Sequence, residues 1–240
     1  MTNSTAPNAR VALVTGGSRG LGRALTAALV RDGWHVVTNG RDGERLEDAA
    51  ARMAGAGSVT VVAGDVADAD HRRTLAAAAD AAGGLDVVVN NAGQLGPSPP
   101  PRLAEFELRA LEAVYAVNTF APLALVQLLL PQLLRRGGRI VNISSDAAVE
   151  AYEGWGGYGS SKAALDYITA VMALEHPELS VYAFDPGDMR TDMQQASFPG
   201  EDISDRASPE SVVPSLLALL EGKRPSGRYR ATDLAAESPA

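Results

Sequence analysis

The feature that most narrows the fold of this chain is a regular alternation of two kinds of segment. Short apolar, β-branched runs at 10–15, 34–38, 58–62, 85–90, 138–143 and 180–184 read as buried strands. Longer Ala/Leu-rich stretches at 21–32, 44–53, 68–82, 105–134 and 158–175 carry helical patterning between them. Strands alternating with helices imply right-handed crossovers and a parallel sheet. The expectation is an α/β fold, a Rossmann-like doubly wound parallel sheet. A last helix is signalled at Ser208, Pro209 and Glu210, where Ser can cap and Pro can occupy the first turn, and it should run to about residue 220 before Gly222.

A chain of 240 residues, 46% hydrophobic, can bury one large core. A single domain over 10–233 is therefore expected, with tails at 1–9 and 234–240 and a lid over the substrate at about 188–208. The net charge of −8 argues against nucleic acid or an anionic membrane as a partner. With no cysteine there is no disulfide frame, no thiolate nucleophile and no cysteine-ligated zinc, and no metal is expected. The longest apolar run, 121–134, is short for a membrane span and holds Gln127, Pro131 and Gln132, while residues 1–9 lack an apolar core. A cytoplasmic protein is expected.

Two stretches carry chemistry. Tyr158 and Lys162 are four residues apart, so on a helix the ammonium lies beside the phenol. A free tyrosine, with a pKa of about 10, is a poor proton shuttle at neutral pH; a nearby cation should pull that value down and make Tyr158 an acid/base. The second stretch is Thr15-Gly16-Gly17-Ser18-Arg19-Gly20-Leu21-Gly22, where the first strand should turn into the first helix. That junction sets backbone N–H groups and the positive end of a helix dipole against a phosphate. Its glycine spacing is wider than in the common dinucleotide fingerprint.

To these the sequence adds Asn90-Asn91-Ala92-Gly93 after the fourth strand and Ser145, thirteen residues before Tyr158. Asp65-Val66, Asn118, Pro186-Gly187 and Thr191 are further matches. Together these motifs resemble the short-chain dehydrogenase/reductase family from Val11 to about Thr232. The resemblance implies that Tyr158 exchanges a proton with a carbonyl oxygen during hydride transfer and that Ser145 hydrogen-bonds that oxygen. It implies that Lys162 tunes Tyr158 and holds the nicotinamide ribose, and that Asn118 orders a water behind the lysine. Gly16, Ser18, Arg19, Gly20, Leu21 and Gly22 would then line the cofactor's phosphates, Asp65 and Val66 the adenine, Asn91, Ala92 and Gly93 a brace beneath the cofactor, and Pro186, Gly187 and Thr191 the nicotinamide end. Ser144 competes with Ser145, and the thirteen-residue interval selects Ser145, which has no base beside it in the motif.

Cofactor choice rests on residues. NAD enzymes place an acid about 20 residues beyond the glycines to accept from the ribose. Here that place is Gly40, followed by Arg41, and Arg19 lies in the glycine loop. Two guanidinium groups suit a 2′-phosphate, so NADP(H) is expected, with Asp42 as the nearest acid that could upset the reading. Substrate walls are expected from 94–102, which includes the run 97–101, from 146–157 with Tyr152 and Trp155, and from the lid with Met189, Met193 and Phe198. The lid's Asp188, Asp192, Glu201, Asp202 and Asp205 do not favour an anionic substrate. The expected partner is a small carbonyl or alcohol, and helices 105–134 and 158–175 resemble the pair that forms a homodimer or homotetramer in the family. Two further function classes stay open: a non-redox enzyme on the same fold, such as a dehydratase, epimerase or cyclase, and a dinucleotide-sensing regulator.

Overall fold

The computed structural model describes residues 9–235; nearly all of both expected tails lies outside them. All six expected strands form one parallel sheet, to which a seventh is added. In chain order they are β1 (Val11–Val14), β2 (His35–Gly40), β3 (Ser58–Ala63), β4 (Val87–Asn90), β5 (Arg139–Ile143), β6 (Ser180–Asp185) and β7 (Gly227–Arg230). The spatial order is β3-β2-β1-β4-β5-β6-β7, so the chain reverses direction between β1 and β4. The carboxyl ends of strands at such a reversal leave a crevice that a ligand can enter.

Period-two alternation along the strands divides the core. Ala12 and Val14 of β1 face one layer, built on α1 (Gly20–Arg31) and α8 (Pro209–Glu221) with Leu25, Leu29, Leu216 and Leu219. Val11 and Leu13 face the other, built on α3 (Ala69–Ala81) and α5 (Ala121–Arg136) with Leu75, Leu125, Leu129 and Leu133. The remaining helices are α2 (Gly43–Ala51), α4 (Leu108–Tyr115), α6 (Gly156–Glu175), α7 (Asp192–Ser197) and α9 (Ala231–Ala235).

Three expectations are revised. The helix expected from 105 starts at Leu108, after a 3₁₀ turn over Leu103–Glu105, and its two parts α4 and α5 are joined by a π-helical turn, Ala116–Phe120. The whole of Leu108–Arg136 is thus one helical rod, long and apolar enough by composition to cross a membrane. Its completely buried Leu125, Leu129 and Leu133 pack instead on the sheet. Leu234, expected in the C-terminal tail, is instead buried on the α1/α8 side of the core. The strand β7 was missed because Gly-Arg-Tyr-Arg has no apolar alternation; it sits at the sheet edge, where one neighbour, β6, suffices.

Candidate active site

The glycine loop leaves β1 at its carboxyl end and is held from the ends of its two neighbouring strands, β2 and β4. Gly16 N–H donates to Asn39 Oδ1 (3.0 Å) and Gly17 N–H to the Asn39 carbonyl (2.9 Å). Just after β4, Asn91 Nδ2 donates to the carbonyls of Thr15 (2.8 Å) and Gly16 (3.3 Å), while Thr15 Oγ1 accepts from the N–H groups of Asn91 and Ala92, 3.0 Å each. Asn91 and Ala92 of the expected brace thus hold the loop, while Gly93 makes none of these bonds. A side chain at Gly22 would put Cβ 2.3 Å from the Gly16 carbonyl oxygen, and one at Gly17 would meet Thr38 Oγ1 at 2.0 Å. Glycine is thus a packing requirement at both positions, against the loop's own backbone at 22 and against the Thr38 side chain at 17. Asn39, missed in the sequence, ties the loop onward: its Nδ2 donates to the Gly64 carbonyl (3.3 Å) and lies 3.1 Å from His71 Nε2.

The loop delivers the chain into α1, whose first turn has neither a side-chain cap nor an acidic residue. Uncapped N–H groups with the positive end of the dipole suit an anion. They border a cleft of about 740 Å³ that runs across the carboxyl edge of the sheet. Of the expected cofactor residues, Gly16, Ser18, Arg19, Gly20, Leu21, Arg41, Asp65, Val66, Asn91, Ala92, Gly93, Pro186, Gly187 and Thr191 line it. Gly22 does not; it is buried beneath the loop.

One end of the cleft is cationic and open. Arg19, Arg41 and Arg45 border it, and Asp42, the acid nearest the expected ribose position, accepts the Arg45 N–H as the N-cap of α2. Arg19 Nη1 and Arg45 Nη2 both reach Asp192 Oδ2, at 2.8 and 3.2 Å, and hold that carboxyl below the usual range. Arg41 makes no hydrogen bond or ion pair with another described residue. Arg45 and the Asp192 contact were not foreseen, since nothing local connects residues 147 and 173 positions apart.

The other end is buried. Tyr158, Lys162 and Ser145 line it together, which the spacing required of a helix, α6, docked against the loop after β5. Ser144 and Ser145 both border the cleft; Ser144 acts on Asp166, and Ser145 is the one that acts on the Tyr158 hydroxyl. The serine does have a base beside it: Asp146 Oδ1 lies 2.9 Å from Ser145 Oγ. Burial pushes the Tyr158 phenol well above its ordinary value; Ser145 pulls it down, and Asp146 and Asp185 add to the rise. The expected lowering by Lys162 is therefore not what the structure gives. Lys162 Nζ sits 5.7 Å from the Tyr158 ring centroid, donates to the Ile143 carbonyl at 2.7 Å, and is itself pushed down to about 8 by burial, against the pull of Asp166.

Asn118 lies in the π-helical turn, wholly buried and outside the cleft lining. Its Oδ1 accepts the Gln94 N–H and its Nδ2 donates to the Gln94 carbonyl, 2.9 Å each, and to Ser161 Oγ (3.0 Å). The side chain joins the loop after β4 to α6 on the Lys162 side. Behind the site, β7 supplies Arg228, whose Nη2 donates to the Ser145 carbonyl and to Asp185 Oδ2 (2.9 Å each), while Nε donates to Asp166 Oδ2 (3.1 Å). Asp185 also caps the Pro186-Gly187 turn through Gly187 N–H (3.0 Å).

Above the buried end stand Tyr152, Trp155, Met189, Met193 and Phe198, all lining the cleft as expected. Trp155 packs edge-on to Tyr158 (centroids 5.8 Å) and against Phe198 (6.1 Å). The proline run 97–101 is not part of the wall; only Gln94 of its segment is. It packs outside, with Ser98 Oγ on the Ala196 carbonyl and Arg102 on Glu153. Of the lid acids only Asp188 and Asp192 face the cleft; Asp205 pairs with Arg206, and Asp202 caps the Ser204 N–H.

Comparison with known proteins agrees over most of the chain. The short chain dehydrogenase family matches residues 10–202. An uncharacterized oxidoreductase of Saccharomyces cerevisiae is 31% identical over 214 residues, covering 89% of this chain and 81% of its own. A short chain dehydrogenase of Shigella flexneri, solved in complex with NADP, superposes with a TM-score of 0.85 at 30% identity, covering 94% of this chain and 98% of that one. Another, of Escherichia coli in complex with NADPH, gives 0.84 at 30% identity, with coverages of 93% and 97%. With the reversal point, the braced glycine loop and the Ser145, Tyr158 and Lys162 cluster at one cleft, this protein belongs to the short-chain dehydrogenase/reductase family of oxidoreductases.

Proposed function

We propose that the protein is an NADP(H)-dependent oxidoreductase that reduces a ketone or aldehyde to an alcohol, or runs the reverse, with Tyr158 as the acid/base. The observation that carries this reading is the convergence in one cleft of two unlike ends. One is an uncapped helix terminus with arginines; the other is a pair of half-buried hydroxyls, Ser145 and Tyr158, beside a buried lysine. The two relatives solved with NADP and NADPH support the cofactor. Bound there, the dinucleotide supplies hydride.

The chain's own residues do the rest. The glycine loop and the N–H groups of α1 receive the diphosphate, and Arg41 with Arg19 receives the 2′-phosphate. Ser145 donates to the carbonyl oxygen and fixes its position; Tyr158 gives that oxygen a proton. A phenol raised by burial is protonated at neutral pH, which is the state an acid in carbonyl reduction needs. Lys162, charged below about pH 8, holds the ribose hydroxyls and offers its positive charge to the phenolate left behind. Asn118 serves from behind, through Gln94 and Ser161, as the support of any water that resupplies the proton.

Asp146 and Asp188 beside the aromatic and methionine wall favour an uncharged, apolar or aromatic carbonyl over an anion. Exposed Leu108, Phe120 and Leu128 on the α4/α5 rod and Tyr167 and Leu174 on α6 support assembly as a homodimer or homotetramer. A cytoplasmic location remains part of the same reading.

The test is NADPH oxidation across a panel of uncharged ketones and aldehydes, then single-turnover hydride transfer in Tyr158→Phe. The variant should lose about 10² to 10⁴ in rate while binding NADPH as before. Retention of most of the rate defeats the assignment, and silence of the parent protein across the panel favours a non-redox or sensing role.

A further inference from the structure

Three side chains from distant parts of the chain meet over the cationic end of the cleft. Arg19 comes from the glycine loop, Arg45 from the first turn of α2, and Asp192 from the first residue of α7. Both guanidinium groups converge on a single carboxylate oxygen, Asp192 Oδ2, and each of the three side chains is about half exposed. A guanidinium fork presents several donors in a plane. One oxygen shared between two forks leaves most of those donors without a fixed acceptor.

We infer that Arg45 joins Arg19 in recognising the cofactor's 2′-phosphate, and that Asp192 is an internal anion occupying the same two cations until the phosphate displaces it. This rests on the NADP(H) reading of the cleft and adds to it a cofactor-selecting residue and a competitor. A phosphate monoester brings up to two charges and three acceptor oxygens, against one oxygen of a carboxylate bearing one charge. It therefore takes both guanidinium groups in preference to Asp192. A dinucleotide without that phosphate has nothing to exchange and leaves the Asp192 contact in place.

The exchange reaches the other end of the cleft through α7. This helix is six residues long; Asp192 is its first residue, and Phe198, on which Trp155 packs, follows its last. Trp155 in turn lies edge-on to Tyr158. Releasing Asp192 frees the start of a short rigid element whose far end is the aromatic wall of the substrate site. NADP(H) and NAD(H) thus differ in whether they unfasten the lid as well as in affinity.

The experiment uses the full chain at low ionic strength, because exposed ion pairs are screened by salt. Calorimetric titrations with NADP⁺, NAD⁺ and 2′,5′-ADP compare the parent protein, Asp192→Asn and Arg45→Met, and Trp155 emission is followed alongside. Trp34, the second of two tryptophans, is buried in the core and gives a constant background. Asp192→Asn should tighten NADP⁺ and 2′,5′-ADP by about two- to fivefold and leave NAD⁺ unchanged. Arg45→Met should weaken both phosphate-bearing ligands by about tenfold, again with NAD⁺ unchanged. Saturating 2′,5′-ADP should shift the parent's Trp155 emission toward that of ligand-free Asp192→Asn. If NADP⁺ is preferred but Asp192→Asn leaves its affinity unaltered, or tightens NAD⁺ equally, Asp192 is an ordinary surface ion pair and the inference fails with the cofactor reading intact. Binding of 2′,5′-ADP without any change in Trp155 emission overturns the link to the lid. A parent protein that binds NAD⁺ at least as tightly as NADP⁺ overturns the cofactor reading and this inference with it.

Discussion

The two ends of the cleft are built on opposite electrostatic plans. At the adenosine end the ion-paired cluster over the cleft is Arg19, Arg45 and Asp192, each about half in water. Behind the chemical end the network is Lys162, Asp166, Asp185 and Arg228, and Lys162 and Asp185 are almost wholly enclosed. Exposed charges interact weakly and can exchange partners; buried ones are expensive to separate and hold their neighbours in place. The first end is suited to choosing a ligand and the second to fixing atoms for a reaction.

If that contrast is right, substitutions at the chemical end should register in stability and those at the adenosine end in binding. The largest effect is expected from Arg228→Met. It strips the nearest cation from Asp166 and Asp185, leaving Asp185 with Arg230 Nε at 3.8 Å, removes the donor from the Ser145 carbonyl, and should cost about 3 kcal/mol in chemical denaturation. Adding Asp166→Asn should recover part of the loss. A stability change below about 0.5 kcal/mol would place Arg228 with the surface pairs and dissolve the contrast.

Next comes the pH dependence of stability, measured without added dinucleotide. The folded protein holds Lys162 at about 8 against an ordinary 10.5, so between these values the unfolded chain binds the extra proton and stability rises with pH. Tyr158, raised above 10.0, works in the opposite sense: above about pH 10 the folded state keeps a proton that the unfolded chain loses, and stability falls. The net expectation is a gain on the order of 2 kcal/mol from pH 8 to 10, absent in Lys162→Met. A parallel profile in the variant would show that the buried ammonium is not the source.

The smallest effect sharpens the other side. Arg41→Ala should weaken NADPH by about tenfold, leave NADH nearly unchanged, and leave the denaturation midpoint where it was. Equal weakening of both dinucleotides would mean that Arg41 faces the diphosphate rather than the 2′ position.

What the sequence made legible tracks how local the physics is. Strands, helices and the glycine loop were readable because they depend on period and on backbone geometry within a few residues; the pairing of Tyr158 with Lys162 depends on one helical turn. β7 was not, because an edge strand reading Gly-Arg-Tyr-Arg spends its side chains on ion pairs and shows no apolar alternation. Asn39 carries no role in the sequence reading, yet its side chain holds the glycine loop, a role set by Gly16, Gly64 and His71 arriving from elsewhere. The direction of the Tyr158 shift was misjudged for a related reason. The four-residue spacing names a neighbour, whereas the depth of burial is decided by the whole fold.

The π-helical turn at Ala116–Phe120 has a consequence for how this rod tolerates changes in length. A π turn is one residue more than an α-helix needs, and each residue of a helix advances it by about 100°. A single deletion within the turn would therefore restore a regular α-helix with both flanks still in register, whereas a deletion elsewhere in the rod would rotate one side against the other by about that angle. In the second case either Asn118 would leave Gln94 and Ser161, or Leu125, Leu129 and Leu133 would leave the sheet. The surplus residue is thus a reserve of length, the one place where the rod can lose a residue without turning its core-packed half against the part that meets the active site.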